Sequence, residues 1–225
     1  MSGMILVVRP EPGLGATLAA ASDMGLNAIG YPLFEIRPCT WDCPQADRVD
    51  ALLSGSANVF RHGGKALARL TEKPVYAVGN ATADAARDAG FSVAAVGSGG
   101  LQNVLNTIPS GTRLLRLAGA EHVPLETPEG VEMDTRIVYE AVPMELPEPL
   151  RAIQELGLTV LLHSAAAARQ FDAEARRMAL HRGRITLIAI GPRVASAAGK
   201  GWADIHVCDT PNDAAMLVLA RSMCI

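Results

Sequence analysis

The sequence predicts an α/β protein built from two similar lobes, each with a parallel sheet. Short apolar runs such as MILVV alternate with alanine-rich helical segments along the 225 residues. Strands that are buried on both faces read as continuous apolar runs, and helices between them imply parallel pairing with right-handed crossovers. A long internal repeat and a pair of similar β-rich segments are the other two observations behind this fold class.

The elements follow from the apolar runs and from the glycines that punctuate them. The runs predict strands, in chain order, at MILVV, LNAIGY, DALLSG, PVYAVG, FSVAAV, TRLLRLAG, TVLLHS, ITLIAIG and ADIHVC. The segments between them predict helices at LGATLAAASDMG, ANVFRHGGKALARL, NATADAARDAG, LQNVLNTI, AAAARQFDAEARRMAL and PNDAAMLVLARSM, with one more helix after ITLIAIG. The first helix is expected to end at Gly25, and Gly79 is expected to turn a strand into a helix.

An internal repeat relates the centre of the chain to its last third. LLSGSANVFRHGGKALARL followed by VYAVGNATADAARDAGFSVAAV resembles LLHSAAAARQFDAEARRMAL followed by LIAIGPRVASAAGKGWADIHVC. In this alignment Ser56 matches Ser164, and Gly79 matches Gly191. A repeat of this length indicates two similar α/β lobes.

Two β-rich segments that end in proline, GYPLFEIRP and RIVYEAVP, predict connecting strands within residues 34–45 and 135–146. In that arrangement the central lobe spans residues 46–134, and the terminal lobe combines residues 1–33 with 147–225. One lobe is then discontinuous in sequence. The residues alone equally allow a tandem division near Pro109 to Gly111.

Composition argues against nucleic acid, membranes and metal ions as partners. The formal net charge is -3, whereas nucleic-acid binding usually needs a basic surface. No apolar stretch approaches the ~20 residues of a membrane span. Cys39 and Cys43 form an isolated C-x3-C pair, and we expect these two, Cys208 and Cys224 to be ordinary thiols. We therefore expect a soluble, cytoplasmic protein without a metal site.

The candidate site residues share a position rather than a catalytic motif. Gly13 and Gly15 lack the third glycine and the acidic residue of a dinucleotide fingerprint. His163 and Ser164 are adjacent, and neighbours on a strand point to opposite faces, which makes them a poor base and nucleophile. Serine in this position more often caps a helix.

Several residues instead follow predicted strands directly, namely Arg9, Ser56, Gly79, Gly119, Ser164 and Gly191. Ligands of parallel α/β sheets bind at that edge, and free N–H groups at helix starts attract anions. Two such edges facing each other would form a cleft suited to a small molecule that carries many carboxylates.

In the order and spacing of these segments, the chain resembles the uroporphyrinogen-III synthase family over nearly its whole length. The matching segments are VVRPEP, YPLFEI, SGSANVFRHGG, YAVGNATADAARDAG, IVYEAVP, LLHSAAAARQF, IAIGPRVASAAG and TPNDAAMLVLA. The resemblance implies two lobes with the central one inserted into the terminal one. It also implies an enzyme of tetrapyrrole (heme) biosynthesis, a lyase that cyclises linear hydroxymethylbilane with loss of water and inversion of ring D. No cofactor is implied, and a monomer is the expected state.

Residue by residue, the resemblance places the family's catalytic tyrosine on Tyr139, where it would assist departure of the hydroxyl. The expected substrate-binding residues are Arg9, Ser56, Ala57, Gly79, Asn80, Thr82, Ser164, Ala165, Gly191 and Arg193. The chain departs from the family at Val8, Gly55 and Val194, where hydroxyl residues are usual, and the segment after Gly119 lacks a clear helix. These departures leave a second hypothesis, a two-lobed protein that binds an anionic, tetrapyrrole-like molecule without synthase activity.

Overall fold

The computed structural model describes residues 3–223, apart from the side chain of Leu156. The strands are β1 (Met4–Val7), β2 (Ala28–Gly30), β3 (Phe34–Pro38), β4 (Ala51–Ser54), β5 (Val75–Val78), β6 (Val93–Gly97), β7 (Arg113–Gly119), β8 (Glu132–Pro143), β9 (Leu158–Leu162), β10 (Ile185–Ala189) and β11 (Asp204–Val207). The helices are α1 (Gly13–Asp23), α2 (Asn58–His62), α3 (Gly64–Leu67), α4 (Asn80–Asp88), α5 (Leu101–Leu105), α6 (Leu150–Ile153), α7 (Ala165–Arg177), α8 (Pro192–Ala197) and α9 (Asp213–Met223).

Within residues 3–223 the strands form two sheets. The five-stranded sheet has the order β11-β10-β9-β1-β2, and the six-stranded sheet has the order β3-β8-β7-β4-β5-β6. All neighbours in the first sheet pair in parallel, as do β8-β7, β7-β4, β4-β5 and β5-β6 in the second. The prediction of an α/β fold with two parallel sheets is confirmed. The segments predicted as connecting strands contain β3 and most of β8, which are neighbours in the six-stranded sheet.

The chain divides into two compact units. Unit 1 comprises Met1–Glu35 with Pro143–Ile225, and unit 2 comprises Ile36–Val142. Residues 1–2 and 224–225 lie outside the described residues, so the predicted thiol of Cys224 does too.

In unit 1, alternate residues of each strand enter two apolar cores. Leu6 of β1 packs into the core that α7 and α8 cover, and Ile5 packs into the core that α1 and α9 cover. Phe171 of α7 is fully buried in the first core, stacked on Trp202 at a centroid distance of 5.4 Å. Burial on both faces explains why the strands read as uninterrupted apolar runs.

Unit 2 repeats this layering. Leu52 of β4 and Leu115 of β7 pack with α2 and α4, whereas Leu53 and Leu114 pack with α5 on the opposite face. The residues of unit 2 that the sequence predicts as ligand contacts lie where these strands end. The layering therefore fixes which backbone groups meet at the carboxyl edge of the sheet.

The single helix predicted over ANVFRHGGKALARL is wrong, because the chain forms α2, α3 and a short 3₁₀ turn there. Gly64 adopts φ +66°, a left-handed conformation that interrupts an α-helix and that glycine adopts without steric cost. A Cβ on Gly63 would lie 2.7 Å from the carbonyl oxygen of Val59. The two glycines thus permit a tight break that the alanine-rich pattern conceals.

Candidate active site

A pocket of about 770 Å³ opens at the carboxyl edge of the six-stranded sheet in unit 2. Its walls come from the residues that follow β4, from the ends of β5 and β7, from the start of α5 and from β8. The lining residues are Gly55, Ser56, Val78, Gly100, Leu101, Arg116, Leu117, Ala118, Gly119, Ala120, Glu121, His122, Val123 and Tyr139. This edge is where parallel α/β sheets bind ligands.

Tyr139 and Ser56 form a hydrogen-bonded pair on the wall of this pocket. The Tyr139 hydroxyl donates to Ser56 Oγ at 2.9 Å, although the two residues are 83 positions apart in the chain. The backbone N–H of Asn58 also donates to Ser56 Oγ, at 3.2 Å. The serine oxygen therefore accepts two hydrogen bonds, and its own proton is available to a further acceptor.

An irregularity in strand pairing and a glycine together position the tyrosine ring. β7 and β8 pair Ala118 with Ile137 and then Gly119 with Tyr139, so Val138 is skipped in the register. A β-bulge of this kind redirects the side chain that follows it. A Cβ on Gly119 would lie 2.6 Å from Tyr139 Cζ and 2.9 Å from its hydroxyl oxygen. Only a glycine at position 119 leaves room for the ring where it lies.

Arg116 is a pocket residue that sequence reasoning missed. It lies within β7, and only 3% of its surface is exposed. Its Nη2 donates to the carbonyl oxygen of Val123 at 2.7 Å, and its Nε has no hydrogen-bond partner. Burial lowers the pKa of the guanidinium from its ordinary value, yet arginine stays charged at neutral pH. The available signal was a charged residue inside the apolar run TRLLRLAG.

The segment after β7 carries the second basic side chain of the pocket. His122 Nδ1 lies 3.0 Å from the carbonyl oxygen of Gly119 and 3.3 Å from that of Ala120. Because carbonyl oxygens only accept, Nδ1 carries the proton and Nε2 is left for another contact. No helix occurs between Gly119 and β8, as the sequence predicts.

The turn between β5 and α4 presents backbone and side-chain groups at the same edge. Gly79 adopts φ +77°, and its N–H donates to the carbonyl oxygen of Gly97. Asn80 is exposed at the start of α4, whereas Thr82 is only 4% exposed. Ala57 is half-buried and precedes α2 directly. The structure thus buries the side chain of Thr82, which the sequence predicts as a substrate contact.

In unit 1, the carboxyl edge of the five-stranded sheet holds a charged cluster around Asp213. Arg9 Nη1 donates to Asp213 Oδ2 at 2.8 Å and to Thr17 Oγ1 at 3.3 Å. Thr17 also donates to Asp213 Oδ2 at 2.7 Å, and His163 Nε2 lies 2.6 Å from Asp213 Oδ1. The charge of Arg9, predicted as a ligand receptor, is therefore paired within the unit.

The electrostatics of this cluster follow from its contacts. Burial by itself raises the pKa of Asp213. Hydrogen bonds from His163 and Thr17, with the charges of His163 and Arg9, outweigh burial and hold that pKa at about 2. Asp213 is thus ionised at neutral pH. Asp213 is not among the residues predicted from sequence, although an acidic residue at the start of a predicted helix was a visible signal.

The remaining predicted residues of unit 1 lie at two helix starts. Ser164 Oγ accepts from the backbone N–H of Ala167 at 3.1 Å and caps α7, whose first residue is Ala165. Gly191 precedes α8, and Arg193 is exposed in its first turn. Val194 is 7% exposed and belongs to the apolar core.

Among residues 3–223, no three His, Cys, Asp or Glu side chains are grouped so that they could hold a metal ion. None of the helices in this range has both the length and the apolar character of a membrane span. Cys39, Cys43 and Cys208 are free thiols.

Comparison with known proteins assigns the chain to a family. The family model described as uroporphyrinogen-III synthase HemD matches residues 16–218. No protein with a curated description shows significant sequence similarity to the chain. The uroporphyrinogen-III synthetase of Helicobacter pylori is 19% identical with a TM-score of 0.67, covering 99% of this chain and 100% of that one. A mutant uroporphyrinogen III synthase of Thermus thermophilus is 19% identical with a TM-score of 0.59, covering 98% of both chains.

The structural matches share the fold of this chain. Because their sequence identity to the chain is only 19%, they show the fold alone. The family model carries the assignment, because its match spans most of the chain and includes Ser56, Arg116 and Tyr139. The chain belongs to the uroporphyrinogen-III synthase family.

Proposed function

We propose that this chain carries out the reaction of its family with Tyr139 as the residue that assists departure of the hydroxyl. As a uroporphyrinogen-III synthase, the chain is a cyclising lyase of tetrapyrrole biosynthesis. It closes linear hydroxymethylbilane with loss of water and inversion of ring D. The observation that carries the proposal is the Tyr139 hydroxyl on the pocket wall, hydrogen-bonded to Ser56 at 2.9 Å.

The reaction does not require a strong acid from the protein. The pyrrole nitrogen of the substrate supplies the electron pair that expels the hydroxyl, and the leaving oxygen becomes strongly basic only as its bond to carbon breaks. A neutral phenol, although a weak acid, can therefore assist by donating a hydrogen bond. Hydroxyl protons rotate, so Tyr139 can turn its proton to the leaving group while it accepts from Ser56. The N–H of Asn58 holds Ser56 in that arrangement.

Orientation is the larger task, because a linear substrate left free closes without inverting ring D. Holding the reacting carbons together can contribute several kcal/mol. We propose that polar groups at the strand ends bind the substrate's carboxylates. In unit 2 these groups belong to Ser56, Ala57, Gly79, Asn80 and Thr82. Because the side chain of Thr82 is buried, we expect Thr82 to contact the substrate through its backbone. In unit 1 they are Arg9, Ser164, Ala165, Gly191 and Arg193.

A cytoplasmic location, a monomeric state and the absence of nucleic-acid binding belong to the same proposal. The formal net charge of -3 supports the last of these. Size-exclusion chromatography with light scattering measures the oligomeric state directly. A mass near 23.6 kDa is the expected result.

The deciding experiment uses hydroxymethylbilane generated enzymatically in the same vessel. With this protein present, chromatography of the oxidised products should show the type III isomer. A reaction without the protein gives type I by spontaneous closure and serves as the control. Type I alone, with the protein folded and bound to the product, would establish the second hypothesis of a binding protein.

A further inference from the structure

We infer that Arg116 is a carboxylate-binding residue of the unit 2 pocket, and so a substrate contact that the strand-end pattern does not reveal. The inference rests on the proposed function, because the carboxylate belongs to the substrate. Arg116 lines the same pocket as Tyr139 and Ser56. It lies within a strand and not after one, so it differs in kind from the receptors proposed above.

The position of Arg116 in β7 is one that the fold would normally fill with an apolar residue. Alternation along the strand puts it on the same face as Leu114, which packs in the core beside Val104 and Leu105 of α5. The residues on either side, Leu115 and Leu117, pack in the opposite core. Only 3% of the arginine is exposed. A charged side chain in such a place needs a compensating partner.

The protein itself supplies too few hydrogen-bond acceptors to compensate for the burial of the Arg116 guanidinium. A guanidinium has five N–H donors, and the Nη2 contact with the Val123 carbonyl oxygen at 2.7 Å is its one hydrogen bond within residues 3–223. Its Nε is buried without a partner. No carboxylate of the described residues forms an ion pair with it, although Glu121 lines the same pocket. Buried cations are generally paired, so the missing partner is an anion.

The anion that fits is a carboxylate. A guanidinium offers parallel donors in a plane, which match the two oxygens of a carboxylate better than a single charge does. A purely structural role, tying the segment around Val123 to β7, would use one donor and could be filled by a neutral amide. It does not account for the unpartnered Nε or for a full charge at the pocket wall.

The test compares Arg116→Gln with Arg113→Gln in the synthase reaction. Both changes remove one positive charge from β7, but Arg113 lies at the other end of the strand, exposed and paired with Asp50 at 2.6 Å. Loss of a charge-assisted hydrogen bond to substrate predicts that Arg116→Gln raises KM for hydroxymethylbilane about 10- to 100-fold. We expect kcat to change by less than about threefold, and Arg113→Gln to keep the wild-type KM.

A KM for Arg116→Gln within about twofold of wild type would overturn the inference, whatever happens to kcat. Thermal denaturation shows whether that variant folds. If it does not, Arg116→Lys keeps the charge and is expected to raise KM several-fold, because an ammonium cannot make the paired contact; an unchanged KM overturns the inference here too. A wild-type protein that yields only the type I isomer would refute the proposed function instead. The two failures are therefore distinguishable.

Discussion

At the scale of single residues, the Tyr139 hydroxyl is the group whose removal says most about the reaction. We predict that Tyr139→Phe lowers kcat by about 10²-fold, the lower end of the range for general acid assistance, because the pyrrole nitrogen supplies much of the driving force. The ring stays, so the thermal midpoint should hardly change. Turnover of hydroxymethylbilane and thermal denaturation measure the two effects. Tyr76→Phe removes a hydroxyl from the same unit outside the pocket and is the matched control.

In the departure of the hydroxyl, Ser56 should act through Tyr139, apart from its proposed contact with a substrate carboxylate, and its effect on kcat should therefore differ from that of Tyr139. In Ser56→Ala, Tyr139 loses the partner that lies 2.9 Å from its hydroxyl but keeps its own donor. We therefore expect kcat to fall by roughly 10-fold or less. If Ser56 only positions Tyr139, the double variant should be no slower than Tyr139→Phe alone. Independent, multiplying losses of kcat would mean that Ser56 contacts the departing hydroxyl directly. Full activity of Tyr139→Phe would remove both hydroxyls from the departure step.

The residue scale is also where the sequence was least informative. Tyr139 was identified only through resemblance to a family, since a tyrosine in a strand usually packs in a core. Arg116 was missed because one charge inside an apolar run does not reveal whether the side chain reaches a pocket or solvent. The pairing of Arg9 with Asp213, 204 positions away, depends on how the chain folds and leaves no local pattern.

At the scale of elements, the pairing of β7 with β8 decides where Tyr139 lies. Gly119→Ala would add a Cβ within 2.6 Å of Tyr139 Cζ, so the ring must move. We predict that this substitution lowers kcat about as much as Tyr139→Phe and costs about 1–3 kcal/mol of unfolding free energy, as overpacking does. Steady-state turnover and urea denaturation measure the two consequences.

A matched control separates the loss of space from the general effect of replacing glycine. A Cβ on Gly183 would meet nothing within 4 Å, and its φ is not in the left-handed region, so Gly183→Ala should leave activity unchanged. Wild-type turnover in Gly119→Ala would contradict the role given to the bulge. In that case Tyr139 could act from a second position.

Elements themselves were largely predictable, although α6 (Leu150–Ile153) was not predicted and one predicted helix is interrupted. Continuous apolar runs identify strands buried on both faces, and the nine predicted runs fall on β1, β2, β4 to β7 and β9 to β11. The strands β3 and β8 lie instead in the segments predicted as connecting strands. The helix through ANVFRHGGKALARL failed because alanine-rich composition outweighed two adjacent glycines in the interpretation. Gly64 at φ +66° shows that the backbone conformation, not the side-chain pattern, ends α2. The β7–β8 bulge has no comparable signature, since register depends on both strands at once.

At the scale of the whole molecule, the fold class was predictable because layering depends on the overall pattern of apolar runs. Charge was less so. The prediction that Arg9 binds the substrate at a strand end did not anticipate Asp213, which pairs with it. Net charge, which is -3, indicates little about either edge, because local pairing decides the field that a ligand meets. The assignment of residues 46–134 to the central lobe stays a prediction. Separate expression of that segment would test it.

The ionisation of Asp213 makes the stability of the folded chain depend on pH. Its pKa is about 2 in the folded chain, against an ordinary value of 3.8. A carboxylate whose pKa is lowered by folding stabilises the folded state above its unfolded pKa. That contribution disappears as pH falls through 3.8 toward 2. With allowance for its partial exposure, we estimate about 1–2 kcal/mol at pH 7.

We therefore predict that Asp213→Asn unfolds more easily than wild type at pH 7, and that the difference narrows as pH falls below about 4, where the wild-type carboxylate begins to take up a proton. Urea denaturation from pH 7 to the lowest pH at which both proteins fold measures this convergence. Asp23→Asn, at an exposed position of α1 in the same unit, should differ from wild type by less than about 0.5 kcal/mol throughout. A difference for Asp213→Asn that stays constant across this range would mean that packing or lost hydrogen bonds, and not the charge of Asp213, hold the cluster together.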